Sequence, residues 1–155
     1  MQALYLEDLQ PAQVFESAPC TITAEDIVRF AAEFDPQPFH IDPEAAERGF
    51  FHGLCASGWH TAALAMRLFV EAVPIAGGIV GAGVELLEWK APVRPGDVLR
   101  LRCQVVEIRP SKSRPDRGIV RFAHETLNQH GEVVLSQAPK LVVPRKPAVG
   151  GGQVA

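Results

Sequence analysis

The chain has 155 residues, 47% of them hydrophobic, which is enough for one domain with a sizeable core. Its formal net charge is −3 at pH 7, so there is no broad basic surface for nucleic acid. No apolar run reaches the roughly 18 residues that a membrane-spanning helix needs, so we expect no membrane insertion.

The N-terminus and the cysteines indicate the cellular compartment. Residues 1–11 alternate acidic with apolar side chains and lack the basic start of a secretion signal. Cys20, Cys55 and Cys103 are odd in number and lie among apolar neighbours, which is typical of buried, reduced thiols. We therefore expect a cytoplasmic protein, and no His, Cys or Asp cluster has the spacing of a metal site.

Two helices are predicted in the first third of the chain. Thr23 and Asp26 form a capping-box pattern ahead of apolar residues at helical spacing, which predicts a helix from about 24 to 34. Asp42 and Pro43 have the types preferred at the N-cap and first position of a second helix, ending near Gly49. A helix cap is therefore the favoured role of Asp42, although a catalytic role is the alternative.

Between these helices, the segment Asp35-Pro36-Gln37-Pro38-Phe39-His40 places an acid and an imidazole five residues apart. Its two prolines remove backbone donors and push the residues before them toward extended geometry. The segment is therefore predicted to contain no regular helix, and it must curl back if Asp35 and His40 are to cooperate.

A long apolar helix is predicted from about Ser57 to Val73. Only Thr61, Arg67 and Glu71 are polar in its interior. A helix that is apolar nearly all round has to be wrapped by other structure.

Strands follow Pro74. Apolar and polar residues alternate over 99–105 and 120–126, with turn sequences at 94–97 and 128–131. Earlier strands fit near 13–21 and 78–90, and a last strand, about 132–143, contains Pro139, which suggests an edge or a bulge. Helix followed by four consecutive strands predicts an α+β domain with an antiparallel sheet over residues 1–146. Residues 147–155 are predicted to be a disordered tail.

The Asp35–His40 segment, the following Asp42-Pro43 and the glycine-containing helix entry 56–60 resemble the MaoC-like family, the (R)-specific enoyl-CoA hydratases. This family commonly has Asn where the chain has Gln37. The resemblance runs from about Thr21 to Val143. It implies a hot-dog fold, in which an antiparallel sheet wraps a central helix, and a homodimer. The chain is too short for the doubled hot dog, which favours a short or medium acyl group.

The resemblance also implies site residues. It assigns acid–base catalysis to Asp35 and His40, which would share one water; we assign water activation to His40 and proton donation at C2 to Asp35, with the opposite direction left open. It assigns stabilisation of the enolate oxygen to the backbone N–H of Gly58 at a helix N-terminus. Coenzyme A is part of the substrate, and no separate cofactor is implied.

For several further candidate site residues, both a structural and a functional role are open. Ser57 caps the helix or touches substrate, Gln37 orients its neighbours, and Phe39 packs or lines the acyl pocket. A solvated basic loop or a site for coenzyme A phosphates explains the turn that contains Arg109, Lys112, Arg114 and Arg117. The remaining histidines are expected in the core (His124), in surface turns (His52 and His130) and in packing or near substrate (His60).

Two other functions remain open. A hot-dog thioesterase commonly uses a carboxylate from the central helix, where this chain offers only Glu71 near the far end. A non-catalytic acyl-CoA-binding protein would keep the fold and bind without turnover, and Gln37 is the feature that leaves this alternative open.

Overall fold

The structure is a computed structural model and describes residues 2–147. Residues 148–155, where most of the disordered tail is predicted, lie outside the described part. After a 3-10 turn at Leu6–Asp8, the elements are β1 Val14–Glu16, β2 Cys20–Thr21, α1 Ala24–Phe34, α2 Pro38–Ile41, α3 Pro43–Arg48, α4 Gly58–Ala72, β3 Val80–Trp89, β4 Val98–Pro110, β5 Arg117–Leu127 and β6 Val133–Pro144.

The strands form one antiparallel sheet in the order β1-β4-β5-β6-β3, and β2 also pairs with β4. The inner face of the sheet packs against α4 through the fully buried Leu68 and Phe69, with partners on β4, β5 and β6 such as Leu101, Phe122 and Leu141. The α+β arrangement predicted from the order of elements is confirmed. None of the helices between residues 2 and 147 is long and apolar enough to cross a membrane.

The predicted helix caps are present. The Thr23 hydroxyl accepts a hydrogen bond from the backbone N–H of Asp26 at 3.1 Å, and α1 spans the predicted residues. The Asp42 carboxylate accepts from the N–H groups of Glu44 and Ala45 at 2.9 and 3.1 Å. Asp42 is therefore a helix cap, because its side chain accepts hydrogen bonds from backbone N–H groups at the start of α3 that have no partner within the helix.

The segment between α1 and α3 contains a helical turn, so the prediction of no regular helix there was wrong. Gln37 is extended, as expected before a proline, but Pro38 begins the four-residue α2. A proline at the first helical position loses no hydrogen bond, and its fixed φ already suits a helix. This turn reverses the chain and carries His40 back toward Asp35.

Helix α4 packs on the sheet through one face, as predicted, and keeps an exposed face in the described protomer. Trp59, Met66 and Val70 recur at helical spacing and are 57%, 47% and 50% exposed. The neighbouring edge strand β3 also exposes Val80 and Val84. The helix face and the strand leave an apolar surface that a soluble monomer seldom presents.

Pro139 lies in β6, which runs between β5 and β3, so it is not on an edge strand. The alternative prediction, a bulge, is confirmed because the pairing of β3 with β6 shifts register between Val84 and Leu87, beside the Val84–Pro139 pair. The irregular pairing accommodates a residue that has no N–H to donate.

The cysteines only partly match the prediction of buried thiols. Cys55 and Cys103 are buried, whereas Cys20 is half-buried and its sulfur accepts a hydrogen bond from the Arg67 guanidinium at 2.6 Å. All three are free thiols.

His124 is a buried histidine in the core, as expected. Its ring centroid lies 4.2 Å from that of Phe69, and its Nε2 atom has no hydrogen-bond partner among the described residues. Burial lowers the pKa of His124 from 6.5 to about 4, because the imidazolium cannot be solvated there.

We expect this histidine to make the fold sensitive to acid. Between pH 6.5 and about 4, the unfolded chain binds a proton at position 124 that the folded chain does not. Stability is therefore highest above pH 6.5 and falls on acidification, by on the order of 3 kcal/mol more in the wild type than in His124→Leu. Urea unfolding at pH 7 and pH 4 measures this difference. Equal pH dependence in both proteins would contradict the prediction, and the exposed His130→Gln variant should behave like the wild type.

Candidate active site

One cavity of about 460 Å³ brings five of the predicted site residues together. It is bounded by α2, the loop that leads into α4, the first turn of α4 and residues 89–93. Its lining includes Asp35, Gln37, Phe39, His40 and Gly58. Segments that are distant in sequence therefore meet at this cavity, and the Asp35 carboxylate, the His40 imidazole and the N-terminus of α4 all border it.

The His40 imidazole is buried and held in one orientation. Its Nδ1 atom lies 2.7 Å from the backbone carbonyl oxygen of Cys55. A carbonyl oxygen only accepts hydrogen bonds, so Nδ1 carries the proton and donates it. In the neutral imidazole, Nε2 then has a free lone pair, and it lies 3.5 Å from Oδ2 of Asp35.

Asp35, directly after α1, is held by two donors. Its Oδ2 accepts from the Ser57 hydroxyl and its Oδ1 accepts from the Gln37 amide, both at 2.7 Å. Burial raises the pKa of Asp35, but these two hydrogen bonds, together with the charge that His40 carries when it is protonated, outweigh burial, so the pKa lies below the ordinary value of 3.8. The group is a carboxylate at neutral pH.

Ser57 joins the helix cap to the acid. It is fully buried at the N-cap of α4, and its hydroxyl accepts from the Trp59 N–H at 3.2 Å while donating to Asp35. The predicted capping role is confirmed. The bond to Asp35 was missed, because no sequence signal connects positions 22 residues apart.

Gly58 is the first residue of α4, and its N–H donates no hydrogen bond within residues 2–147. The Trp89 indole packs directly on its Cα, so that an added Cβ would lie 2.5 Å from the Trp89 Cε2 and Nε1 atoms. Trp89 in turn meets Trp59 edge to face, with ring centroids 5.2 Å apart. The missing side chain therefore lets an aromatic wall close on the helix N-terminus.

A family model described as "MaoC like domain" matches residues 8–126. The chain belongs to the MaoC-like family. It is 31% identical over 147 residues to a 3-hydroxybutyryl-CoA dehydratase of Methylorubrum extorquens, covering 94% of this chain and 88% of that protein. It is 30% identical over 148 residues to an (R)-specific enoyl-CoA hydratase of Rhodospirillum rubrum, covering 92% and 93%.

Two solved structures are similar to this chain over nearly its whole length. The crystal structure of a MaoC-like dehydratase from Rhodospirillum rubrum superposes with a TM-score of 0.90 at 54% identity, covering 94% of this chain and all of that one. A double-hotdog protein from Mycobacterium tuberculosis has a TM-score of 0.76 at 20% identity, covering 98% of this chain and 47% of that one, which is a likeness of fold alone. The predicted hot-dog fold is confirmed.

Relative to the family pattern, Gln37 replaces the common Asn. Its side-chain amide reaches the Asp35 carboxylate at 2.7 Å, so the longer side chain still supplies an orienting donor. Phe39 lines the cavity and meets the rings of His40 and Phe51 edge to face, at centroid distances of 4.5 and 5.2 Å. Phe39 therefore packs, as expected, and also lines the cavity.

The basic turn joins β4 to β5 and lies away from the cavity. The cavity is bounded by Val93, just before β4, whereas the turn follows Pro110 at the other end of that strand, about 40 Å along it. Arg109 pairs with Glu107 and Arg117 with Asp116, while Lys112 and Arg114 are exposed. Within one protomer, the structure does not bring these four cations to the site.

The other histidines are not in the cavity lining. His60 stacks on Phe30 with centroids 4.5 Å apart, and burial, offset in part by Asp26, lowers its pKa. His52 and His130 are exposed, as expected for turns. Among residues 2–147, no group of three or more His, Cys, Asp or Glu side chains is placed to hold a metal ion.

The contact of Trp89 with Gly58 leads to a prediction for Gly58→Ala. The new methyl group collides with the Trp89 ring, and we expect the free energy of unfolding to fall by about 1–3 kcal/mol. In a Trp89→Ala background the methyl group enters vacated space, and less than half of that loss should remain. Urea unfolding of the four proteins measures the coupling. An equal loss in both backgrounds would show that Trp89 does not set the requirement for glycine.

Proposed function

We propose that this MaoC-like protein is a hydro-lyase that adds water across the 2,3 double bond of a short or medium 2-enoyl-CoA, or removes it from the 3-hydroxyacyl-CoA. The observation that carries the proposal is the pair formed by Asp35 and His40 in one cavity beside the free N–H of Gly58. Two relatives across nearly the whole chain bear the names of a hydratase and a dehydratase, which supports this reaction class.

The proton route follows from the hydrogen bonds of the pair. The bond to Cys55 leaves Nε2 of His40 free to accept a proton from water as its oxygen attacks C3. Asp35 begins as a carboxylate, so it delivers a proton to C2 only after receiving one, and Nε2 lies 3.5 Å from its Oδ2. The proton that water loses is then the proton that C2 gains. Dehydration runs through the same groups in reverse.

The developing enolate oxygen needs a donor that is already in place. The N–H of Gly58 opens α4, where unpaired backbone donors carry partial positive charge. A single donor of this kind lowers a barrier by about 3 kcal/mol when it is aimed at the oxyanion in a dry site. The Trp89 ring packs on this glycine, and Trp59 meets Trp89 edge to face beside it.

The two alternatives make different use of the chain. A thioesterase based on the central helix would need Glu71, but this residue is exposed and lies 3.8 Å from Arg67 on the surface. A binding protein without catalysis is disfavoured by the hydrogen bond that orients Asp35 through Gln37. Hydration therefore uses more of the observed arrangement than either alternative.

The deciding assay follows loss of the enoyl thioester absorbance of crotonyl-CoA, with free coenzyme A measured in parallel. Hydration without release of coenzyme A is the expected result. Release of coenzyme A would identify a thioesterase. Thermal stabilisation by crotonyl-CoA and by longer and branched enoyl-CoAs, with turnover of none, would identify a binding protein.

We also propose that the functional unit is a homodimer formed through α4 and β3. Both elements expose apolar residues, and they meet where Trp59 of α4 contacts Trp89 of β3, with ring centroids 5.2 Å apart. Strand β3 is also at the edge of the sheet, with unpaired backbone groups along its free side. A second copy related by a two-fold axis pairs the two β3 strands antiparallel and covers both surfaces at once.

This dimer offers a location for the coenzyme A phosphates. If the two β3 strands pair antiparallel, the end of one strand that carries Val80 lies beside the Trp89 end of the other strand. That Trp89 end borders the cavity of its own protomer. Val80 is level with Val142, Ile119 and Arg109 across the sheet, so the basic turn approaches the other protomer's site. We propose that Arg109, Lys112, Arg114 and Arg117 bind these phosphates across the dimer rather than within one chain.

Placing a charge on the proposed interface should separate the protomers. Met66→Glu puts a carboxylate in the exposed stripe of α4, and we expect sedimentation velocity to show a monomer where the wild type is a dimer. Val106→Glu is the matched control, because Val106 is 50% exposed on β4 outside this surface. A dimer in all three proteins would place the interface elsewhere.

A further inference from the structure

Arg94 lies outside the recognised motif, in the turn before β4, yet its guanidinium holds the loop that precedes the active-site carbonyl. Its Nη1 donates to the carbonyl oxygens of Gly53 at 2.8 Å and Leu54 at 3.3 Å. Its Nη2 donates to the carbonyl oxygen of Phe51 at 2.5 Å. Three acceptors within four residues engage one planar side chain.

The loop needs this support because its own backbone conformation is unusual. His52 has a φ of 49° and Gly53 a φ of 136°, both in the left-handed half of conformational space. Regular helix or strand pairing is absent from residues 49–57. Arg94 therefore replaces the hydrogen bonds that a regular element would supply.

The next carbonyl along the chain is the one that orients the catalytic imidazole. The Cys55 oxygen accepts the Nδ1 proton of His40, and the Cys55 N–H donates to the Phe39 carbonyl at 3.3 Å. Residue 56 continues the anchoring, since the Ala56 N–H donates to the Val93 carbonyl at 2.8 Å. The direction of the Cys55 carbonyl is thus set by its attachments on either side.

Arg94 is itself held by residues of two turns. Its backbone N–H donates to the Asp97 carboxylate at 2.7 Å, and the other oxygen of that carboxylate accepts from the Gln129 amide at 2.8 Å. No ion pair between Arg94 and an acidic side chain is found within the described residues. Its guanidinium donates hydrogen bonds to backbone carbonyls. A planar group with several donors can bind them at once, which the single ammonium group of Lys cannot do in the same geometry.

We propose that Arg94 is a positioning residue for hydration, which fixes the Cys55 carbonyl and thereby keeps His40 protonated on Nδ1 with Nε2 free toward Asp35. The inference rests on the proposed function. Without this anchor the carbonyl turns away, the ring adopts the other tautomer, and a protonated Nε2 no longer accepts a proton from water. Arg94 is not in the cavity lining, so substrate binding changes little.

The test compares Arg94→Met and Arg94→Lys with Arg100→Met, an exposed arginine of β4 that serves as the matched control. Kinetics with crotonyl-CoA give kcat and KM, and the imidazole ¹⁵N NMR signals of His40, assigned with a His40→Asn variant, report its tautomer. We expect Arg94→Met to lower kcat by about 10- to 100-fold with KM within about threefold, and to lose the Nδ1–H tautomer. Arg94→Lys should be intermediate, and Arg100→Met should match the wild type.

A wild-type tautomer in Arg94→Met would overturn the proposal, as would a kcat loss that is explained by the unfolded fraction alone. If Arg94→Met does not fold, Arg94→Lys decides in the same way: a changed tautomer and lower kcat support the proposal, and wild-type values of both overturn it. If the wild-type protein hydrates no enoyl-CoA, the proposed function fails, but the tautomer still tests whether Arg94 positions His40.

Discussion

Replacing Asp35 with asparagine is expected to lower kcat for crotonyl-CoA hydration by about 10²- to 10⁴-fold, the usual contribution of a positioned acid or base. Asparagine keeps the size of the side chain but removes the charge and the site that receives and delivers the proton. The pKa of Asp35 is held below its ordinary value, so the wild-type group is ionised throughout the neutral range and the loss should be constant there. Initial rates at saturating substrate, from pH 6 to pH 8, measure it.

Asp42→Asn is the matched control for this variant. Asp42 belongs to the same stretch of sequence, but its carboxylate caps α3 through Glu44 and Ala45. Asparagine caps helices about as well as aspartate, so both stability and kcat should stay near wild-type values. Equal activity losses in the two variants would mean that the effect is structural and that Asp35 has no special role.

Replacing His40 with alanine is expected to reduce kcat by a similar factor of about 10²- to 10⁴. The variant removes the Nε2 acceptor and leaves the Cys55 carbonyl without the donor that lies 2.7 Å from it in the wild type. Because the proposed mechanism makes Asp35 and His40 one unit, the double variant should be little worse than either single variant. Rates of the two single variants, the double variant and the wild type form the cycle.

His52→Asn is the control here, since His52 is exposed and asparagine tolerates its left-handed backbone. Its kcat should equal that of the wild type. Circular dichroism checks that every variant is folded. Multiplicative losses in the double variant would indicate independent roles for the two residues, and would contradict a shared water.

The secondary structure could be predicted in large part because its signals are local. The capping pattern of Thr23 and Asp26 and the alternation over 99–105 depend on neighbours a few residues apart, and the elements they predict are present. The turn at Pro38–Ile41 was missed because a single turn has little intrinsic stability. Tertiary contacts, such as the bond from His40 to Cys55, hold it in place.

The site could be predicted as a set of residue types but not as a geometry. The motif identified Asp35, His40 and Gly58, and the cavity contains all three. Ser57 reaches Asp35 across 22 positions and Trp89 reaches Gly58 across 31, and neither contact leaves a periodic or compositional trace. The distance of the basic turn from the cavity likewise depends on the length and direction of β4.

The sequence by itself determined where most helices and strands lie, which fold class they belong to, and which acid and imidazole are the candidates for catalysis. The elements and the fold class follow from hydrogen bonding and apolar periodicity within short windows, whereas the catalytic candidates follow from the resemblance of one motif to the MaoC-like family. Only the tertiary structure decided the tautomer of His40, the lowered pKa of Asp35 and the exposed face of α4. Each of these depends on burial and on hydrogen-bond partners from segments that are remote in the chain. Folding brings these segments within a few ångströms of each other, and sequence spacing does not encode that proximity.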